Sequence, residues 1–598
     1  MKKILGLGIL ALTGAATIAL VGCGSNTRER VEKKDIYGLD DENEISKMGT
    51  CNLYFKENSE IPYVLIDDGV ELMSDIRSSA LSDDKAKCTL TKDGNNYVIS
   101  NETGAKCTLS VENQTMTYDD YDMFSGVNPE GQKPLTIAPV KKGKKALKLV
   151  SQQYTAGNQL VLDLKNYTKL DLVEKDGKCY MPISVFNSAL FNANTSLSLA
   201  YNGKEAFILN GDSLSETGFL LPIETPLGKR FRNVKDSVSQ EYAEYYYQSL
   251  CFDFNYEYGL RDKFTTFEEY LKSKGYTNDL LSTDARTLDK TTAYALSFLN
   301  DGHTALTEFS NFYKYRDVEP EDSKMSPAKV QKEKDDEAFT EKVTEKGIKD
   351  GLEYKDSTVF VTFKSFNDIE EDLLYKKDQL TNDGLTGPMN NRFDSELTSL
   401  LKPTNTAELF SRLYKELNSA ERKTTIKNVV IDLTTNEGGS ADALIYSLSV
   451  LLGNVTVDIH NYLTGGHNHQ VYKADMNLDG LINEDDKSLS ELGFNIFFLD
   501  SKYSFSSANA MPYLAKLNNS NVITLGDKTA GGPCAVRNIV TPIGNVVTSS
   551  SLTTISKSVN GGYQHIDDGI PADFPLTEDQ MINRDFISKN TTKWATKD

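Results

Sequence analysis

Short apolar runs broken by turn pairs fill the chain from about Cys51 to Asn210. Ile61–Ile66, Tyr97–Ile99, Leu160–Leu164 and Ala206–Leu209 have strand length, and Asp93-Gly94, Asp176-Gly177 and Asn202-Gly203 are hairpin-type turn pairs. This pattern predicts a β-rich N-terminal domain, or two small ones, over 46–225. After Pro226 the period lengthens: Val238–Asn255, Phe267–Tyr276 and Asp284–Leu299 carry helical spacing, which predicts a helical region over 226–315. The stretch 316–350 is dense in Lys, Glu and Asp and reads as a solvated helical linker or insertion. From 351 onward, buried strands (Thr358–Phe363, Val429–Leu433, Asn495–Leu499, Val522–Leu525) alternate with helices (Thr406–Leu417, Ala441–Leu452). Such alternation predicts a mainly parallel sheet covered by helices, and a multidomain α+β chain overall.

Composition adds limits rather than identity. The chain has 598 residues, enough for three or four domains, with the apolar and charged fractions of a folded soluble protein. Its 65 basic against 86 acidic residues give a net charge of -21, which argues against nucleic acid as a general partner. Besides Cys23, the six cysteines Cys51, Cys88, Cys107, Cys179, Cys251 and Cys534 form no C-x-x-C pair and are read as small buried hydrophobes.

The first residues read as a targeting segment: Met1-Lys2-Lys3, an apolar run from Ile4 to Val21, then Gly22-Cys23. This resembles a bacterial lipoprotein signal. The resemblance implies removal of 1–22, a lipid on Cys23, and a mature chain on the extracytoplasmic face of the cell membrane. Asn26–Glu44 is acidic and poor in apolar residues, so 23–45 reads as a flexible tether.

Three loops at the ends of strands or helices carry chemistry: Asn300–Thr304, Asn436–Gly439 and Ser504–Asn509. A serine on a strand-to-helix corner makes Ser506 a nucleophile candidate, and an imidazole at His303 is the natural base near neutral pH. An oxyanion would need fixed donors, here the amide of Ser507 and an amide of the Gly438-Gly439 pair.

With these motifs in order, the chain resembles the S41 family of serine peptidases, the tail-specific and tricorn-like proteases. The residues that carry the likeness are Asp301-Gly302-His303-Thr304, Ile431–Gly439, Ser504–Asn509, Leu525–Gly532 and Asp568–Asp573, across about 230 to 598. The resemblance implies a spiral core shared with crotonase- and ClpP-like proteins, the helices of 226–315 as its cap, and a peptide or protein substrate. Departures accompany the matches. Gly532 stands where tail-specific members carry a lysine, which leaves a Ser/His mechanism of tricorn-like type. Asp567 or Asp568, with His565 as an outside alternative, would replace the glutamate that orients the histidine. Asn509 replaces the glutamate of the nucleophile turn, and Pro512 is expected to kink or delay the helix after it. Two functions follow: a lipid-anchored endopeptidase, or an impaired relative that binds peptide or polysaccharide.

The segment 454–493 carries a further motif. Asp475, Asn477, Asp479, Asn483 and Asp486 fall at positions 1, 3, 5, 9 and 12 of a loop with Gly480 at 6 and the Leu481 carbonyl at 7. It resembles an EF-hand loop of the dockerin kind and implies a structural Ca²⁺. His467-Asn468-His469 offers two imidazoles on one strand face and no third ligand, so it reads as polar loop rather than a zinc site.

Overall fold

The computed structural model describes residues 28–39, 45–81, 87–126, 146–192, 197–210, 226–232, 235, 237–312, 325–367, 369, 405–559 and 562–596. The expected leader 1–22 and Cys23 lie outside the described residues.

The six-stranded sheet that carries the loops Asn436–Gly439 and Ser504–Asn509 follows directly from its apolar runs. Its order is Gly351–Lys355, Thr358–Thr362, Asn428–Asp432, Asn495–Asp500, Ile523–Gly526 and Phe574–Pro575, antiparallel at the first pair and parallel thereafter. Every residue of Thr358–Thr362 and Asn428–Asp432 is buried, because helices cover both faces. On one side pack Thr406–Leu417, Ala441–Leu452 and Ser507–Asn518; on the other, Phe339 of Pro327–Glu345 and Ile587 and Trp594 of Arg584–Ala595. The first three fall where the alternation of runs predicts helices. Pro512 neither delays nor ends the last of these, since the helix runs unbroken from Ser507 to Asn518.

The N-terminal half is β-rich as its turns require. One seven-stranded sheet and a five-stranded meander from Thr89 to Asp163 share a core with the helices that follow. The hairpin at Asp176-Gly177 has φ of 52° and 74°, the left-handed pair that a two-residue turn demands.

Two boundaries differ from the sequence reading. Arg30–Leu39 is not a tether: it is an inner strand, antiparallel to Ile45–Phe55 and parallel to Ala206–Asn210, with Ile36 fully buried. Its charged residues occupy both faces at the start of the strand, so its one fully buried apolar anchor, Ile36, is hidden from a composition reading. Nor does 46–225 close on itself. Leu147–Thr155 leaves it to pair with His467–Ala474, and Leu147 and Leu149 sit in the core of the C-terminal half. The helix Gln240–Tyr256 conversely packs into the N-terminal core, where Tyr245 accepts the Ser184 amide and Asp253 pairs with buried Arg537 at 2.6 Å. The charged stretch 316–350 does contain a helix, Pro327–Glu345, capped by Ser326 with Pro327 at its first position. That helix is no free linker, because Phe339 and Val343 are buried and its other side faces the cleft.

The six cysteines are all buried thiols.

Candidate active site

Ser506 sits at the corner between strand Asn495–Asp500 and helix Ser507–Asn518. Its φ of 55° and ψ of -119° lie where a side-chain-bearing residue is strained, and the surroundings hold it there. The Ser506 amide donates to the Gly531 carbonyl at 2.9 Å, its own carbonyl accepts from Ala510, and the preceding amide of Phe505 donates to Asn436. The three serines of this turn separate cleanly by role. Ser504 is fully buried and donates to the Leu433 carbonyl at 2.7 Å, stitching two strand ends together. Ser507 donates its hydroxyl to the Gly439 carbonyl at 2.7 Å, and only Ser506 presents a hydroxyl to His303.

The glycine pair has to be glycine. Gly438 has φ of 99°, and a methyl group there would stand 2.5 Å from the Ser506 Cβ and 2.8 Å from the Phe505 carbonyl. Gly439, with φ of 127°, lies against the backbone of Phe366 in a parallel bridge. Of the two amides, that of Gly438 is already donated to the Asn436 side chain at 2.9 Å. The amides of Gly439 and Ser507 are therefore the donors left for a developing oxyanion, the second being in the first turn of a helix that supplies it no acceptor.

His303 comes from the turn after helix Ala285–Ser297. Asn300 takes the left-handed conformation (φ 51°) that ends the helix, a conformation asparagine tolerates. Asp301 then closes the turn, accepting the His303 amide at 3.0 Å, the Thr304 hydroxyl at 2.6 Å and the Tyr258 hydroxyl at 3.0 Å. Gly302 is needed because the Phe505 ring fills the space of a side chain. The result sets His303 Nε2 at 3.0 Å from Ser506 Oγ. The imidazole is 9% exposed and lies 4.7 Å from the Phe505 ring. Burial lowers its pKa below the usual 6.5, and Asp301 and Asp567 oppose that shift. Its Nδ1 is buried with no partner.

The carboxylates expected to orient the imidazole do not bond to it. Asp567 Oδ1 accepts the Gly532 amide at 3.2 Å and Oδ2 lies 3.3 Å from Lys263 Nζ. Asp568 lines the cleft without a bond to His303, and His565 engages the Asp567 amide and Asp262 instead. Gly532 leaves no room for a lysine: a side chain there would meet the Phe505 ring at 2.6 Å and the Ser506 amide at 3.0 Å. Lys528 is exposed. Asn509 is fully buried, donating to the Ile566 carbonyl and accepting from Thr529 at 2.6 Å. It ties the nucleophile helix to both segments that flank it.

Around these groups opens a cleft of about 1290 Å³, large enough for a peptide segment, with Phe366, Leu444 and Val536 among its apolar lining. Lys329, Lys332, Glu333 and Asp336 of helix Pro327–Glu345 also line it. Tyr258, Lys263 and this helix were not singled out by sequence, because nothing local marks a tyrosine or lysine that acts through a distant turn. Phe505 lay inside a motif, yet its packing on Gly302 and Gly532 could not be read there.

The loop Asp475–Asp486 lies away from the cleft. Asp475, buried, accepts the Gly480 amide at 2.7 Å; Asn477, Asp479 and Asn483 each accept an amide two residues on; and Asp486 accepts Met476, Asn477 and Asn483. Among the described residues no three His, Cys, Asp or Glu side chains already surround a point fit for a metal ion. His467 and His469 share the Asp458 carboxylate at 3.1 and 2.9 Å.

No curated protein matches the chain significantly. Among solved structures it is similar to a lipoprotein from Streptococcus agalactiae at 13% identity, over 61% of this chain and 98% of that one, with a TM-score of 0.33. A photosystem II D1 C-terminal processing protease is 14% identical over 39% of this chain and 45% of its own, TM-score 0.24. The tricorn protease is 9% identical over 94% of this chain and 61% of its own, TM-score 0.31. At such scores these likenesses decide nothing about chemistry. The sequence match is narrower and does not reach His303: residues 391–576, which hold Gly438, Gly439, Ser506 and Asp567, match Peptidase family S41.

Proposed function

We propose that the protein is a serine endopeptidase in which Ser506 is the nucleophile and His303 the base. The observation that carries this reading is the 3.0 Å approach of His303 Nε2 to Ser506 Oγ, at a strained serine flanked by two undonated amides. In the reaction the imidazole takes the hydroxyl proton as Oγ attacks the peptide carbonyl. The Gly439 and Ser507 amides hold the oxyanion, and the imidazolium then gives its proton to the leaving amine. Water, deprotonated by the same imidazole, releases the acyl group. A lowered histidine pKa suits this task, because the base stays neutral on the acid side of its ordinary range.

A fluorophosphonate probe tests the proposal: labelling of the parent protein, lost in Ser506→Ala, is expected. Absence of labelling together with no turnover of a peptide library would defeat it. The second reading, a peptide-binding relative without turnover, is favoured by one observation, the unpartnered Nδ1 of His303. It predicts peptide affinity that is the same in the parent and in Ser506→Ala, with no activity in either.

Two attachments complete the proposal. Cys23 carries a lipid that tethers the chain outside the cytoplasmic membrane; incorporation of labelled fatty acid that survives Cys23→Ala would refute this. The loop Asp475–Asp486 binds Ca²⁺ through Asp475, Asn477, Asp479, the Leu481 carbonyl, Asn483 and Asp486, all of them hard oxygen donors. Binding would require Asp479 and Asp486 to turn partly from the amides they now accept. Calorimetric Ca²⁺ uptake that is absent, or unaffected by Asp479→Ala, would remove this part.

A further inference from the structure

His303 has a neighbour that its own turn does not supply. Asp567 is close enough to raise the histidine's proton affinity through space, yet no hydrogen bond joins the two. Its oxygens are engaged elsewhere, Oδ1 with the Gly532 amide and Oδ2 with Lys263. Lys263 lies in the short 3-10 turn Arg261–Lys263 of the cap, and its ammonium also donates to the Asn300 carbonyl at 3.3 Å. Asn300 opens the turn that delivers His303. A single ammonium therefore spans the backbone of the histidine's turn and a carboxylate whose charge reaches its ring. Lys263 and Asp567 are each about one-fifth exposed and both line the cleft, where an entering substrate meets them.

We propose that Lys263 is a positioning residue that holds Asp567 off His303 Nδ1, and that its withdrawal lets Asp567 accept a hydrogen bond from Nδ1–H. This rests on the reading of His303 and Ser506 as the catalytic pair. The physical case is a competition for one carboxylate oxygen. Nδ1–H is a buried donor without an acceptor, a costly state that a carboxylate would relieve. Lys263 has a long flexible stem and three donors, so a substrate carbonyl or carboxylate in the cleft can draw it away while it keeps Asn300. Oδ1 would stay on Gly532, which fixes the pivot. Other charged and titratable groups lie about the imidazole, Asp568 among them, which lines the cleft without a bond to His303. Asp301 is tied into its own turn by the bonds it accepts from Tyr258, Thr304 and the His303 amide. Lys332 stands over the Phe505 ring at 5.6 Å, and burial keeps the Cys534 thiol protonated.

The test is an NMR titration of the His303 imidazole in the Ser506→Ala protein, assigned by loss of its signal in His303→Gln. Lys263→Met is expected to raise the midpoint by about one pH unit, the usual effect of a new carboxylate partner on a histidine. Lys263→Arg should keep the parent midpoint. In an Asp567→Asn background the Lys263→Met shift should vanish. An unchanged midpoint would overturn the proposal, and so would an equal shift in the Asp567→Asn background, which would mean the lysine charge acts directly through space. Fluorophosphonate labelling of the parent separates this outcome from the fate of the peptidase reading, because the titration does not depend on activity.

Discussion

The two halves of the candidate site are held in different ways. The nucleophile side, Ser506 with Gly438 and Gly439, grows from adjacent strands of one parallel sheet. Its backbone is cross-bonded through Asn436, Gly531 and the Ser507 hydroxyl. The base side, His303, hangs from a cap turn fastened by Asp301, Tyr258 and Lys263. The sheet side can store strain at Ser506 because many bonds over-determine it. The cap side has fewer fastenings, an unpaired Nδ1 and a carboxylate shared with a lysine, so it is the side that substrate or pH can adjust. The difference suggests that position is set by the sheet and activation by the cap.

The contrast can be broken in stages. Ser506→Ala and His303→Ala should each lower kcat/KM by about 10³-fold or more, and combining them should add little, since the pair acts as a unit. Additive losses would show that the two halves do not work together. Gly438→Ala should cost about 10²-fold in kcat, because the methyl group meets Ser506 Cβ at 2.5 Å beside the oxyanion donors. A similar loss in kcat without change in thermal midpoint would mark the sheet side as rigid. Tyr258→Phe removes one of three bonds to Asp301 and should reduce kcat/KM only about five- to tenfold, the worth of one hydrogen bond of about 1 kcal/mol. A loss as large as that of Gly438→Ala would erase the distinction between the halves.

The pH predictions are the smallest. His303 is depressed below 6.5, so kcat/KM should hold through mildly acid pH and fall only below that value. An acid limb centred above 6.5 would mean that Asp567 already pairs with the ring. Glu257, at the end of helix Gln240–Tyr256, is buried beside Tyr121, and burial raises its pKa to about 7 against an opposing pull from Arg537. Its folded pKa exceeds the unfolded one, so it contributes stability below the ordinary carboxylate range near 4.5 that is lost as pH rises through about 7. Between pH 5 and 8 the thermal midpoint of Glu257→Gln should therefore gain on that of the parent. A constant difference would show that Glu257 does not titrate over this range.

Much of the site was legible because its parts are local. A continuous apolar strand, a small-residue corner and a helix at 495–518, or a strand and a glycine pair at 428–439, are written in consecutive residues. The elements observed there agree with the pattern to within a residue or two. Several N-terminal strands were legible for the same reason, and their partners were not. Arg30–Leu39, with one buried apolar anchor among charges, reads as part of a tether, and Leu147–Thr155, not among the strands read from the pattern, pairs with a segment more than 300 residues away. Charge content also misled at Pro327–Glu345, where two buried residues were enough to seat a helix against the cleft.

What the sequence by itself determined is the set of reactive groups and the local turns that present them. It also determined the absence of a lysine at 532 and of a glutamate before Gly569. Tertiary structure alone decided that His303 meets Ser506 across 203 residues, and that a phenylalanine ring occupies the place a lysine would need. It also decided that Asp567 is held by Lys263 rather than by the histidine. The physical reason is range. Turn chemistry and hydrophobic period act over a few residues, whereas a hydrogen bond or an ion pair forms wherever packing leaves two groups within about 3 Å, however far apart they stand in the chain.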